Sequence, residues 1–374
     1  MNKLILLALP LAITPMANAA DPQLGSGETN GYQLVWQDLF DADELDTENR
    51  WTIEVNGDGG GNNELQYYTD RADNVRLGDD GNGNHCLILT ARREDYRGKH
   101  FTSGRIISRG KTAFTHGKME AAIRFPKTYK GLWPAFWMMG NDYDEVGWPA
   151  CGETDIIEMG HSDGWKGSDR SDRYFNGAYH WAPRGKWDAV AHHVGTKALD
   201  YSLQDGEYHL LTIVWTPQRS EMYVDLDKYP DREPYHAMDI NDYSGGDPND
   251  DAWWYNPTNI FHKANFILFN LAVGGNFPGI TNADGITALN DDNNHEASMY
   301  VNYVKIYQLG DDADELLTLA PGDTMPEVAI DNVENDSDSQ APVEYFDLQG
   351  RPVAHPANGI FIRRQGSKVT KIIL

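Results

Sequence analysis

The chain is short of three things. Only two cysteines, Cys86 and Cys151, occur in 374 residues. That excludes a disulfide framework, and two cysteines alone cannot make a zinc site. Both thiols are read as buried and free, with a bridge between them as the alternative the sequence leaves open. Positive charge is also scarce: 31 Lys+Arg stand against 57 Asp+Glu, a formal net charge of -26. Such a balance repels phosphate backbones and anionic lipid surfaces, so neither nucleic acid nor membrane is expected as a partner. An acidic polysaccharide is disfavoured for the same reason, unless cations are gathered locally. Finally, no stretch reaches the ~18 consecutive apolar residues of a spanning helix, and no convincing helical stripe appears in the core region.

The one apolar run of note lies at the N-terminus. Lys3 precedes an apolar segment at residues 4–13, and Ala17-Asn18-Ala19 has the form of a cleavage site. Residues 1–19 therefore read as an export signal, with the mature chain starting near Ala20 and working outside the cytoplasm, secreted or at the cell surface or in a periplasm. No cysteine lies near that site to carry a lipid anchor.

What is abundant is glycine, with 36 residues, and aromatic side chains, among them 11 Trp and 19 Tyr. Between residues 32 and 309, short half-apolar runs alternate with Gly, Asn and Asp clusters. Residues 86–92 (CLILTAR), 117–125 (GKMEAAIRF), 208–216 (YHLLTIVWT), 265–273 (NFILFNLAV) and 299–307 (MYVNYVKIY) have strand length. Residues 220–226 follow their predecessor across Pro217-Gln218-Arg219, which reads as a hairpin. Many short strands with Gly-rich turns point to an all-β sandwich or jelly roll. The main domain is placed at residues 20–309. Composition turns acidic and aromatic-poor at Gly310, so residues 310–342 read as a solvated linker with room for one short strand. Residues 343–374 regain β character. This tail resembles the C-terminal tails of proteins exported by the type IX route of some Gram-negative bacteria; a short β appendage is the competing reading.

The segment richest in chemistry is Gly152-Glu153-Thr154-Asp155-Ile156-Ile157-Glu158, three carboxylates interleaved with β-formers. On an alternating strand Glu153 and Asp155 share a face, whereas Glu158, five positions from Glu153, falls on the other. A one-residue bulge at Ile156-Ile157 would return Glu158 to the carboxylate face, and bulges are frequent beside active sites. Two Glu side chains four strand steps apart can lean together as nucleophile and acid of a glycosidase. Asp155 between them would supply the asymmetry that two identical acids lack, making one coupled titrating unit. A solvated acidic face and a calcium or magnesium site are the competing readings. The surroundings favour sugar chemistry. Six of the eleven Trp fall between Trp133 and Trp187, and indole faces stack on neutral sugar rings.

At this point the chain resembles glycoside hydrolase family 16, the laminarinase and β-glucanase family, over about residues 32–309. The resemblance rests on ordered blocks: residues 62–69 (NNELQYYT), 102–106 (TSGRI), 132–139 (LWPAFWMM), 147–158 (GWPACGETDIIE), 270–279 (NLAVGGNFPG) and 300–308. It implies a concanavalin-like jelly roll of two antiparallel sheets with substrate along the concave one. It further implies Glu153 as nucleophile, Asp155 as its partner and Glu158 as acid/base. Trp133, Trp137 and Trp148 would line the subsites beside the cleavage point. Asn63, Arg105 and Asn276 would contact substrate, and His180 would face the leaving group. Phe277 stands where many relatives have Trp. Leu39 in Asp38-Leu39-Phe40-Asp41, and Asn302, replace carboxylates that relatives use near a structural calcium, so no tightly bound calcium is expected. The implied activity is retaining endo-hydrolysis of β-1,3-glucan by a monomer, with no cofactor. Mixed-linkage β-glucan and a non-catalytic glucan-binding protein are the alternatives.

Overall fold

The computed structural model describes residues 31–167, 169–241, 245–319, 343–346, 353, 360–365 and 368–373. The expected export signal and most of the linker lie outside the described residues. Up to residue 319 the chain forms two sheets. One runs, in spatial order, through His236–Asp239, Arg219–Val224, His209–Trp215, Gly117–Arg124, Glu296–Gln308, His85–Tyr96, Lys99–Ser103 and Gln66–Tyr68. Gln33–Asp38 also pairs with Glu296–Gln308, and Val75–Asp79 with His85–Tyr96. The other runs through Ala191–Ala198, Tyr174–Trp181, Glu153–Met159, Leu132–Gly140, Asn265–Val273, Arg105–Ile107 and Thr52–Ile53. Pairing is antiparallel except between Gln66–Tyr68 and Lys99–Ser103.

The expected sandwich is present, and its cause is visible in the side chains between the sheets. Leu87, Leu89, Met119, Ala121, Ile123, Leu211 and Ile213 from one sheet, and Phe136, Ile156, Ile157, Phe175, Phe269 and Leu271 from the other, form one continuous buried core. Alternation in each run supplies the inward face. The hairpin at residues 208–226 forms as read, with Thr216 N–H donating to the Arg219 carbonyl at 2.8 Å. Cys86 and Cys151 are buried free thiols.

Two features differ from a plain reading of patterns. Leu132–Gly140 is an interior strand although it contains Pro134, which cannot donate to a ladder. Its pairing with Glu153–Met159 begins only at Ala135, so Pro134 stands just beyond that ladder. And Glu315–Thr318, past the break in composition at Gly310, pairs with Thr112–Thr115 and belongs to the sandwich. The tail is a separate unit: Val343–Phe346, Ile360–Gln365 and Lys368–Ile373 make an antiparallel three-stranded sheet.

The strand carrying the acidic cluster is bracketed by two glycines in the left-handed region, Gly152 at φ 78° and Gly160 at φ 97°. A Cβ on Gly160 would lie 2.0 Å from the Leu132 carbonyl oxygen. Gly160→Ala is therefore expected to destabilise the protein by about 1–3 kcal/mol through backbone strain and that clash. Urea denaturation reads this as a lower midpoint with an unchanged slope.

Candidate active site

The acidic strand lies inside its sheet, between Leu132–Gly140 and Tyr174–Trp181. Its register shows how the three carboxylates come to one face. Glu153 lies opposite Met139, Asp155 opposite Trp137 and Glu158 opposite Ala135, three positions of one face of the neighbouring strand. On the other side the partners are His180, Ala178 and Asn176. Between Asp155 and Glu158 the strand holds one residue more than either neighbour, so the expected bulge is there. Ile156 and Ile157 both have zero exposure and both point into the core.

Around the carboxylates, each neighbour has a distinct role. The Trp133 indole N–H donates to Glu158 Oε1 at 2.9 Å. His180 Nε2 lies 3.1 Å from Asp155 Oδ2, and its Nδ1 meets Nδ1 of His192 across the strand pair. Asp155 Oδ2 has no aligned donor among the described residues, so the His180 contact acts through charge rather than as a hydrogen bond. The Trp148 indole N–H is buried without a partner at hydrogen-bond distance, and its nearest influence is on Glu153.

The polar residues assigned to substrate are brought together from distant parts of the chain. Asn63, in the left-handed region at φ 57°, donates through Nδ2 to Asn276 Oδ1 at 2.9 Å; both are exposed. Arg105 Nε sits 2.8 Å from Glu54 Oε2, with its guanidinium 5.0 Å from the Trp137 ring centroid. It is thus already paired, and its charge reaches the cluster by acting on Glu153. Trp133 keeps only 8% of its surface exposed, because Phe277 stacks on it at 4.8 Å and 9°. Its role here is to orient Glu158 more than to offer an open face.

Sequence reading did not single out the support beneath these groups. Trp137 donates to Asn270 Oδ1 at 2.7 Å, Asn270 donates to the Tyr68 hydroxyl at 3.2 Å, and Tyr68 donates to Glu64 Oε2 at 3.1 Å. Glu64 is nearly buried and raised by that burial. Glu64 and Tyr68 lay in a quoted block, but nothing local marks them as one chain with Asn270.

Comparison with known proteins agrees with this geometry. Residues 62–262 match the model of glycosyl hydrolases family 16. The chain belongs to glycoside hydrolase family 16. It is 32% identical over 284 residues to a beta-glucanase of Rhodothermus marinus, covering 74% of this chain and 85% of that one. It spans 34% and 38% of two longer curated relatives. Among solved structures it is similar to the Bacteroides ovatus mixed linkage glucan family 16 protein in complex with a G4G4G3G product. That match has 38% identity and a TM-score of 0.60, and covers 72% of this chain and 99% of the other. A laminarinase catalytic domain from Thermotoga petrophila matches at 30% identity and a TM-score of 0.55, over 75% and 99% of the two chains.

In this family 16 site, burial raises all three acids. Glu158 is held well above the usual carboxylate range by burial and then by the charge of Asp155, against the opposing pull of His180. Burial first, and Asp155 second, push Glu153 up to about 8, while His180, the Trp148 indole and Arg105 pull it back. Burial carries Asp155 up to about 8. All three thus hold their protons more tightly than free carboxyls do, and Glu153 has the most groups pulling it back down.

Whether metal belongs here is a question of donors. Glu153, Asp155 and His180 offer ligand atoms within 4.8 Å of one another, a set a divalent cation could take. The set coincides with the reactive carboxylates, so an ion there would obstruct the chemistry described below. The calcium position implied by the resemblance does not fit. Asp38 accepts hydrogen bonds from the Phe40 amide at 2.9 Å and the Trp51 indole at 2.8 Å, with Arg50 at 3.7 Å. Asn302 donates to the His85 carbonyl at 3.3 Å, and His85 Nδ1 lies 2.7 Å from the Phe40 carbonyl.

Two outcomes follow. A chelator should leave the melting temperature unchanged, since no ion is expected to add folding energy at Asp38 and Asn302. For the acids, a folded pKa above the unfolded ~4.3 means that the native state binds the proton more tightly. Stability is then lost as pH rises from ~4 through the folded pKa. Glu158→Gln removes that loss and keeps an acceptor for Trp133. It should raise the melting temperature at pH 8 by about 2–4 °C, on the order of 1 kcal/mol, and the gain should shrink toward pH 4 in calorimetry.

Proposed function

We propose that this chain is an endo-acting retaining hydrolase of β-1,3-glucan, with Glu153 as nucleophile and Glu158 as general acid/base. The observation that carries the reading is the shared face of the two glutamates; burial raises both, and Arg105, His180 and the Trp148 indole pull Glu153 part of the way back. In the first step Glu158 gives its proton to the glycosidic oxygen as the C–O bond breaks, and a Glu153 oxygen bonds to the anomeric carbon from the opposite face. In the second, Glu158 takes a proton from water, whose oxygen displaces Glu153. Two inversions give retention. Asp155, between the two, steadies the charge on both sides of the exchange.

Support for the substrate comes from the relatives, a beta-glucanase and a laminarinase among them. A mixed-linkage β-1,3-1,4-glucan is the second reading, favoured by the 38% identity to the Bacteroides ovatus protein. A binding protein that has lost catalysis would gain nothing from keeping three costly buried acids. The N-terminal segment supports action outside the cytoplasm, and the monomer is taken as the working unit.

Glu153→Gln should lower kcat/KM on laminarin by about 10³-fold or more while glucan binding in affinity electrophoresis persists. Equal sugar release by variant and wild type would end the assignment. Laminarin and lichenan assayed side by side separate the two substrate readings.

A further inference from the structure

We propose that Trp187 is a sugar-stacking platform forming an outer subsite for the neutral glucan at the Glu153 end of the cleft, an inference that rests on the hydrolase reading above. At 64% exposure, Trp187 is the most exposed large apolar side chain among the described residues. An indole left in water forgoes one of the largest burial gains any side chain can make. Its place is not accidental. The turn at residues 182–190 leaves the sheet next to His180, and His180 lies opposite Glu153. The Trp187 ring stands 5.2 Å from the Trp148 ring, tilted by 39°, and Trp148 is the indole that acts on Glu153.

The turn is held from below. The Lys186 amide donates to the Pro183 carbonyl at 3.1 Å and the Ala189 amide to the Lys186 carbonyl at 3.2 Å. The Tyr255 hydroxyl donates to the Ala189 carbonyl at 3.0 Å, and Lys186 Nζ pairs with Asp251 at 3.0 Å. Fixing the backbone in this way removes part of the ordering cost of binding. Packing against Trp148 does not account for Trp187, because most of its surface stays in water. Nor do the neighbours make an apolar docking patch: Arg184, Lys186 and Asp188 on the same turn are exposed and polar. One flat apolar face among hydrogen-bonding side chains matches a sugar ring, whose C–H face is apolar and whose rim is hydroxyl.

The test is chain-length dependence. Wild type, Trp187→Ala and Trp187→Phe are assayed on β-1,3-gluco-oligosaccharides of increasing length. Trp187→Ala should lower kcat/KM about three- to tenfold on the longest chains, through KM, and leave the shortest cleaved chain unaffected; Trp187→Phe should keep most of the wild-type value. No change at any length, or an equal loss at every length, overturns the platform. Wild type that cleaves none of the series sinks the hydrolase reading instead. The platform is then judged by affinity electrophoresis in laminarin, where equal retardation of wild type and Trp187→Ala overturns it.

Discussion

The bulge that absorbs one extra residue in the acidic strand is the constraint on which the site depends. If the strand alternated strictly through Ile156 and Ile157, without a bulge, Glu158 would turn into the core and Ile157 out of it. With it, two consecutive isoleucines enter the sandwich and Glu158 returns to the carboxylate face. The hydrophobic effect therefore selects the catalytic register: burying each isoleucine is worth about 1.5–3 kcal/mol, and burying an unpaired carboxylate costs several. The bulge leaves a carbonyl off the ladder, and the fold supplies a partner for it. The Tyr235 hydroxyl donates to the Ile156 carbonyl. Its ring passes where a side chain on Gly177 would stand, since a Cβ there would lie 2.8 Å from the Tyr235 ring. Gly177 is on the neighbouring strand directly across from the bulge, and Met222 Sδ, also 2.8 Å from that Cβ, adds to the need for glycine there.

The scaffold carries a cost at this place. Three carboxylates share a buried face, each raised by desolvation, and Asp155 keeps an oxygen without an aligned donor. Such an arrangement opposes folding locally, and survives because the strand holding it is clamped on both sides by long antiparallel neighbours. The polar chain from Trp137 through Asn270 and Tyr68 to Glu64 does the complementary task. Every member has a partner, so it fixes Trp137 without adding unpaired charge in the cleft.

Much of this was legible in the sequence wherever the cause is local. Strand parity alone placed the bulge, alternating runs placed the sheets, and the Pro217-Gln218-Arg219 break placed the hairpin. What was not legible depends on contacts between residues far apart in the chain. Asn63 and Asn276 were each recognisable, but their hydrogen bond spans 213 positions. Trp133 read as lining a subsite, and nothing in its own block shows that Phe277 stacks on it. Glu315–Thr318 lay past a change in composition, and joins the sandwich because Thr112–Thr115 offers it an edge. Arg105 read as a substrate contact, and its ion pair with Glu54, 51 positions away, was not legible beside it.

The surplus of negative charge and the choice of a neutral glycan are connected through the same desolvation. Burial is the largest cause of the upward shift at Glu158. A sugar ring laid over the cluster displaces more water, and so holds the proton on the acid more firmly at the moment it is needed. Glu153 is raised by the same burial and by Asp155, to about 8, and His180 and Arg105 offset this only in part. The charge of a sulfated chain would raise Glu153 and Glu158 further, against an Arg105 already shared with Glu54. An uncharged ring, by contrast, adds no further negative charge to a cluster that burial already raises at every member.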